Sequence, residues 1–85
     1  MQTAVITGDL IDSRKVDTMK WLPSLKYVLN QYGTEEEDWL IFRGDSFQLS
    51  TITKNALSTA LHIKSRIKQF KSLDVRMGIG IGNIS

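Results

Sequence analysis

Short apolar blocks of two different periods run along the chain, separated by polar or glycine-containing stretches. Thr3 to Thr7 is β-branched and apolar, which predicts a strand closed by the dipeptide Gly8-Asp9. Leu10 to Asp17 is polar, carries Asp12, Ser13, Arg14 and Lys15, and reads as a loop. Trp21, Leu22, Leu25, Val28, Leu29 and Tyr32 then recur at helical spacing and predict a helix from Thr18 to Gln31. Pro23 falls in or near its first turn, where a missing N–H costs little, and Gly33 is its expected C-terminal stop. Glu35 to Asp38 reads as a solvated connector. Trp39 to Phe42 and Phe47 to Ile52 are strand-like runs around a short Gly-Asp turn, the pattern of a β-hairpin. Thr53 can cap a second helix from Lys54 to Lys71, whose buried face is Ala56, Ala60, Ile63, Ile67 and Phe70, widened by Leu57 and Leu61. Asp74 to Ile84 alternates, with Val75, Met77, Ile79 and Ile81 on one face and Arg76, Gly78, Gly80 and Gly82 on the other. That alternation predicts a strand despite its glycines.

The order β-α-β-β-α-β is that of the split βαβ unit, a ferredoxin-like α+β sandwich. Its antiparallel sheet is expected in the order 4-1-3-2, with both helices on one face. In that topology the end of the first strand lies beside the start of the third. Asp9 and Asp45, each preceded by glycine, occupy those two positions, and Asp74 and Arg76 reach the same edge.

Eighty-five residues allow one small domain, residues 1–85. A chain this short buries only about 60–65% of its unfolded surface, so its core must be efficient or supplemented by a partner. Cysteine is absent, which excludes disulfides, thiolate nucleophiles and zinc–thiolate sites, and fits a reducing cytoplasm. No apolar run approaches the ~20 residues of a membrane span, and the start has no basic, apolar leader. Net charge is only +2, which argues against strong nonspecific affinity for polyanions. The ending Gly80 to Ser85 has neither charged tail nor cap, and a longer protein is expected.

Two carboxylates on adjoining strand ends could share Mg²⁺ or Mn²⁺, since such ions take one or two protein carboxylates plus water and substrate phosphates. The Leu10 to Lys15 loop could then offer backbone N–H groups to a phosphate where it enters the helix, with Arg14 and Arg43 offsetting charge. The competing reading is plain turn chemistry, for Gly-Asp is a preferred hairpin dipeptide with or without a metal. The glycines of the last strand admit either a ligand or further chain packed on them. His62 has no second imidazole or thiol to make a transition-metal site, and Lys64, Lys68 and Lys71 read as a solvated helical face. Arg43-Gly44-Asp45 spells the integrin-binding tripeptide, to which a chain without a secretion signal gives little use.

The segments Val5-Ile6-Thr7-Gly8-Asp9-Leu10, Phe42-Arg43-Gly44-Asp45-Ser46-Phe47 and Val75-Arg76-Met77-Gly78-Ile79-Gly80-Ile81-Gly82 resemble, in this order, the class III nucleotide cyclase core and its GGDEF relatives. Val5 to Asp9 followed by Ser13-Arg14-Lys15 is similar to the SatD-like family of bacterial regulators, and the resemblance runs from Thr3 to about Gly82. It implies Asp9 and Asp45 as metal ligands, with the Leu10 carbonyl as a third, and Leu10, Ser13, Arg14 and Arg43 around a nucleotide. The chain departs from the catalytic pattern. Ile41 stands where many cyclases carry a base-selecting lysine, and Arg43 and Ser46 replace the first glycine and the glutamate of a GGDEF hairpin. No catalytic residue is identifiable. The leading expectation is therefore a cytoplasmic ligand-sensing domain at the N-terminus of a transcriptional regulator, contacting DNA only through a C-terminal region. The alternatives are a nucleotidyl cyclase or transferase completed by C-terminal residues or a dimer partner, and a non-catalytic homodimerisation module.

Overall fold

A computed structural model describes residues 2–83. Four antiparallel strands, β1 (Gln2–Ile11), β2 (Trp39–Phe42), β3 (Ser46–Ile52) and β4 (Asp74–Asn83), form one sheet in the order β2-β3-β1-β4. This is the expected order read from the other edge. The helices α1 (Thr18–Asn30) and α2 (Ala56–Ile67) complete the α+β fold.

Register assigns each residue to a face. Ile6 pairs with Leu49 and Ile79, and Gly8 with Phe47 and Met77, so these share the helix-bearing side. There Ile6, Leu10, Phe47, Leu49 and Val75 join Trp21, Leu25, Val28, Leu29, Ile63 and Ile67 in one core. The opposite side carries Thr7, Asp9, Gln48 and Arg76, all exposed. Gly8 is needed for packing, because an added Cβ would stand 2.3 Å from the Phe47 Cζ.

β1 is longer than its sequence suggests. Gly8-Asp9 does not end it; Leu10 and Ile11 continue the ladder opposite Val75 and Asp74. Leu10 is thus a buried strand residue, its side chain in the core. In the hairpin, Arg43 (φ 56°) and Gly44 (φ 84°) are the positive-φ residues, so the reversal lies at Arg-Gly and Asp45 leads into β3. Gly33 does not act as a left-handed helix stop. α1 ends at Asn30 with Gln31 still right-handed, and a Cβ on Gly33 would collide with Asp38 at 2.3 Å. The connector after α1 is organised: the Thr34 N–H donates to Asp38 Oδ2 (2.7 Å), and Trp39 Nε1–H to the Gly33 carbonyl (3.2 Å).

A 3₁₀ turn at Thr53–Asn55 leads into α2, which stops at Ile67 rather than Lys71. Thr59 takes a fully buried place, whereas Leu57 and Leu61 stay exposed instead of widening the core face. Ile79 and Ile81 lie on the helix-bearing side but are also exposed, since β4 is an edge strand whose far half the helices leave uncovered. Ile84 falls outside the described residues. The helices are tied together by polar contacts. Arg66 Nε donates to Ser24 Oγ (2.8 Å), its guanidinium lies 4.9 Å from the Tyr27 ring centre, and Tyr32 Oη meets His62 Nδ1 at 2.6 Å. His62 is therefore a half-packed structural residue.

Asp74 ties the foot of β4 to α2. Its Oδ1 accepts the Val75 N–H at 2.7 Å, and Lys64 and Lys68 lie 3.5 and 3.6 Å away. The Val75 N–H holds the Asp74 carboxyl below its ordinary pKa of 3.8, aided by both lysines and opposed by partial desolvation. The folded pKa lies under the unfolded one, so the stabilisation is present above 3.8 and is lost as pH falls through the folded value. The stability difference between wild type and Asp74→Asn should accordingly shrink between about pH 5 and about pH 2. Because all three groups are solvated, it should also shrink in salt. Urea titrations across that range check it; a gap constant with pH would remove the ionic account.

Candidate functional site

Asp9 sits two residues before the end of β1, one of the two central strands, paired with Ser46 on one side and Arg76 on the other. Alternation places it on the helix-free face, where it is exposed. Ser46 Oγ donates to Asp9 Oδ1 at 2.6 Å, a short bond of the charge-assisted kind. Ser46 itself is 5% exposed, so it is a fixed donor on a buried strand start. Arg76, directly across β1–β4, brings positive charge beside the carboxylate.

Asp45 is held by other groups. Its backbone carbonyl accepts the Leu10 N–H (2.9 Å), which locks the hairpin to β1. Its Oδ2 accepts from Ser13 Oγ at 3.0 Å, linking the hairpin to the β1–α1 connection. That connection turns at Asp12 in a left-handed conformation (φ 62°), makes a 3₁₀ turn over Ser13–Lys15, and enters α1 through Asp17. Asp17 Oδ1 accepts the Met19 N–H at 3.0 Å and so caps the helix. Asp45, Ser13, Arg14, Thr18, Trp21 and Arg43 surround a cleft of about 280 Å³ at this helix N-terminus, with Gly44 at its rim.

The sheet end thus carries two carboxylates, each with its own hydroxyl donor, Asp9 on the helix-free face and Asp45 in the cleft at the start of α1. Among the described residues neither is in an ion pair with lysine or arginine. The oxygen-only donor set suits a hard cation. Among the described residues, however, no group of three or more His, Cys, Asp or Glu side chains converges. A cation here would have Asp9, Asp45 and hydroxyl or backbone oxygens, and would need the remaining positions filled by water or phosphate, the usual demand of Mg²⁺. The cleft residues also separate from Asp9, which does not line it.

A larger hollow of about 650 Å³ lies at the opposite end of the sheet, beside Thr3, Tyr32, Glu37, Thr51 and Asn55. Among the described residues no arginine or lysine lines it, and its Asp38 is committed to Thr34. Chemistry, more than size, favours the smaller cleft.

Of the residues singled out in the sequence, Ser13, Arg14, Arg43 and Asp45 come together in that cleft. Asp9 adjoins it across the β1–β3 ladder, and Leu10 contributes a backbone bond to Asp45 from within the core. Arg76, expected at this edge, stands directly opposite Asp9. Ser46, Thr18 and Trp21 were not legible as site residues, although Ser46 follows from the register once Asp9 is paired with its neighbours. Thr18 and Trp21 carry only helix-start and core signals. Gly78, Gly80 and Gly82 lie on the helix-free face, and a Cβ on any of them would meet nothing within 4 Å of the described residues. Among the described residues, no helix is long and apolar enough to cross a membrane.

A solved structure described as a DGC protein from Thermotoga maritima superposes with a TM-score of 0.70 at 15% sequence identity, over 94% of this chain. This chain spans 63% of that neighbour's length. No protein-family model matches the chain, and no curated protein matches it.

Proposed function

We propose that this chain is a nucleotide-responsive binding domain. It would hold the phosphate end of a nucleotide in the Arg14–Arg43–Asp45 cleft, with Mg²⁺ or Mn²⁺ at the Asp9 and Asp45 carboxylates. The reading rests on one observation, the gathering of two guanidinium groups and a carboxylate around one cleft at a helix N-terminus. Guanidinium groups and the free N–H groups of a helix start are both suited to phosphate oxygens. The similarity of the Ser13-Arg14-Lys15 stretch and its preceding strand to SatD-like regulators supports a sensing role in a longer protein. Ile41, Arg43 and Ser46, in place of the expected cyclase residues, support sensing over turnover.

Isothermal calorimetry of the chain with Mg²⁺ or Mn²⁺ and each nucleoside triphosphate tests the reading. Saturable, metal-dependent binding is expected, weakened about tenfold or more (about 1.4 kcal/mol) by Asp45→Ala and by Asp9→Ala. Absence of binding, or affinity unchanged in both variants, would sink it. The fold shared with a DGC protein favours a second reading, a nucleotidyl cyclase or transferase assembled with further chain or a second copy. Product formed from labelled nucleotide by a longer form of the protein, and lost in Asp9→Ala, would decide for it.

A further inference from the structure

The two edges of the sheet are unlike. β2, at one edge, is only four residues long. β4, at the other, runs ten residues and pairs with β1 without a bulge, from Ile11↔Asp74 to Gln2↔Asn83. Along its outer side, alternate residues turn N–H and C=O groups away from β1, and among the described residues no strand meets them. Sheets guard such an edge by shortness, a bulge, proline or charge. β2 has the first of these. The far half of β4, from Met77 to Asn83, has neither charge nor proline.

The helix beside that edge is apolar where it faces outward. Arg66 and His62 hold one flank of α2 against Ser24 and Tyr32 of α1. The opposite flank is the stripe Leu57, Leu61, Lys64 and Lys68, at i, i+4, i+7 and i+11. Its two lysines reach Asp74 at the foot of β4, which sets the stripe over the sheet margin. The chain reverses between α2 and β4, so Leu61 and Leu57 lie toward the strand's far half. Ile79 and Ile81 stand there on the same side of the sheet. Leu57 is 67% exposed, Leu61 59%, Ile79 41% and Ile81 60%. Together they present roughly 400 Å² of apolar surface, a size that commonly marks an interaction site.

We propose that two copies of this chain pair β4 against β4, antiparallel about a two-fold axis at Gly80, so that one sheet continues into the other. A closed dimer of this kind needs a patch that complements itself. An axis perpendicular to the sheet keeps both helix layers on one side. Ile79 then faces Ile81 of the second copy, and the two Leu57–Leu61 flanks meet above them. Arg76, the one charged residue from Val75 to Asn83, is four places from the axis and does not face itself. On the reverse side Gly78, Gly80 and Gly82 leave the seam unobstructed. With strand backbone and flanking side chains, the pair would bury roughly 1,200 Å² in total, the low end for a specific interface. The pairing goes beyond the nucleotide reading and does not rest on it, since none of its residues lines the Arg14–Arg43–Asp45 cleft.

Sedimentation velocity of the chain at about 1–500 µM tests the pairing, with a monomer–dimer equilibrium expected and a dissociation constant on the order of 10 µM. Ile81→Lys should weaken the dimer about a hundredfold or more, the cost of setting like charges together at an interface. Ile81 is exposed, so circular dichroism should show the fold retained. The chain has no cysteine, and a Cβ at Gly80 meets nothing within 4 Å. Gly80→Cys should therefore oxidise to a disulfide-linked dimer across the axis, whereas Thr7→Cys, on the same face but two strands' width from its copy, should not. A monomer throughout the range overturns the proposal. So does a dimer that survives Ile81→Lys or that Gly80→Cys fails to link, because another face would then hold it. If a longer form of the protein stays monomeric and is destabilised by Ile81→Lys, its own further chain covers the edge and the second copy is overturned as occupant.

Discussion

Gly8→Ala should lower the melting temperature by roughly 5 to 20 °C, from an overpacking cost of ~1–3 kcal/mol and the ~4–8 °C per kcal/mol typical of domains this small. The new Cβ would lie 2.3 and 2.4 Å from the Phe47 Cζ and Cε1 and 3.1 Å from the Met77 Cγ. A flexible surface side chain would swing aside. Phe47 cannot do so cheaply, because it is fully buried and paired between Gly8 on β1 and Ile41 on β2. Relief must come from shifting β3 against β1, the same ladder that sets Ser46 against Asp9. The double variant Gly8→Ala/Phe47→Leu should recover part of the loss, because it restores room for the methyl group. A thermal scan of Gly8→Ala within about 2 °C of wild type would show that the interstrand space is not filled as described.

Trp39→Ala should be more damaging still. Truncating a buried tryptophan typically costs about 3–5 kcal/mol. A domain of this size has only about 4–13 kcal/mol in total. Trp39 is 2% exposed, faces Leu49 across β2–β3, and closes the connector through its bond to the Gly33 carbonyl. Its removal empties a core position and takes the donor from the half-buried Gly33 carbonyl. Trp39→Phe should cost less, since it keeps much of the packing and loses chiefly the donor. Urea titration should place the two midpoints in that order below wild type. Equal midpoints would mean that ring volume matters little and the N–H carries the effect.

The element order was legible because the two periods are cleanly separated: helical spacing from Trp21 to Tyr32, and alternation from Asp74 onward. The strand order followed from that, as did the meeting of Asp9 and the Asp45 hairpin at one sheet end. What escaped was set by tertiary pairing. Gly8-Asp9 has turn chemistry, yet β4 offers ladder partners beyond it and carries β1 on to Ile11. Gly33 has the residue type of a helix stop, but its small size is used to admit Asp38. Leu57 and Leu61 fit an apolar helical face, and no periodicity can reveal that the sheet stops short of them. At the site, residue types pointed to Asp9, Asp45 and the arginines. The hydroxyl partners depend on register, and Trp21's place in the cleft wall depends on packing that only three-dimensional structure supplies.

The central ladder also sets the order in which the chain can commit to its fold. Gln2 pairs with Asn83 and Ile11 with Asp74, so the longest interface in the sheet joins the two most distant strands. The β2–β3 hairpin and the two helices are local and can flicker into place early. β1 gains its second neighbour only when β4 has been made, and that closure must meet the entropy of almost the whole intervening chain. At ordinary synthesis rates of ~5–20 residues per second, β1 waits several seconds beside an unfilled edge. In that interval its Val5 and Ile6 are open to pairing with strands of other chains, which is where a chaperone would have its greatest effect on this protein.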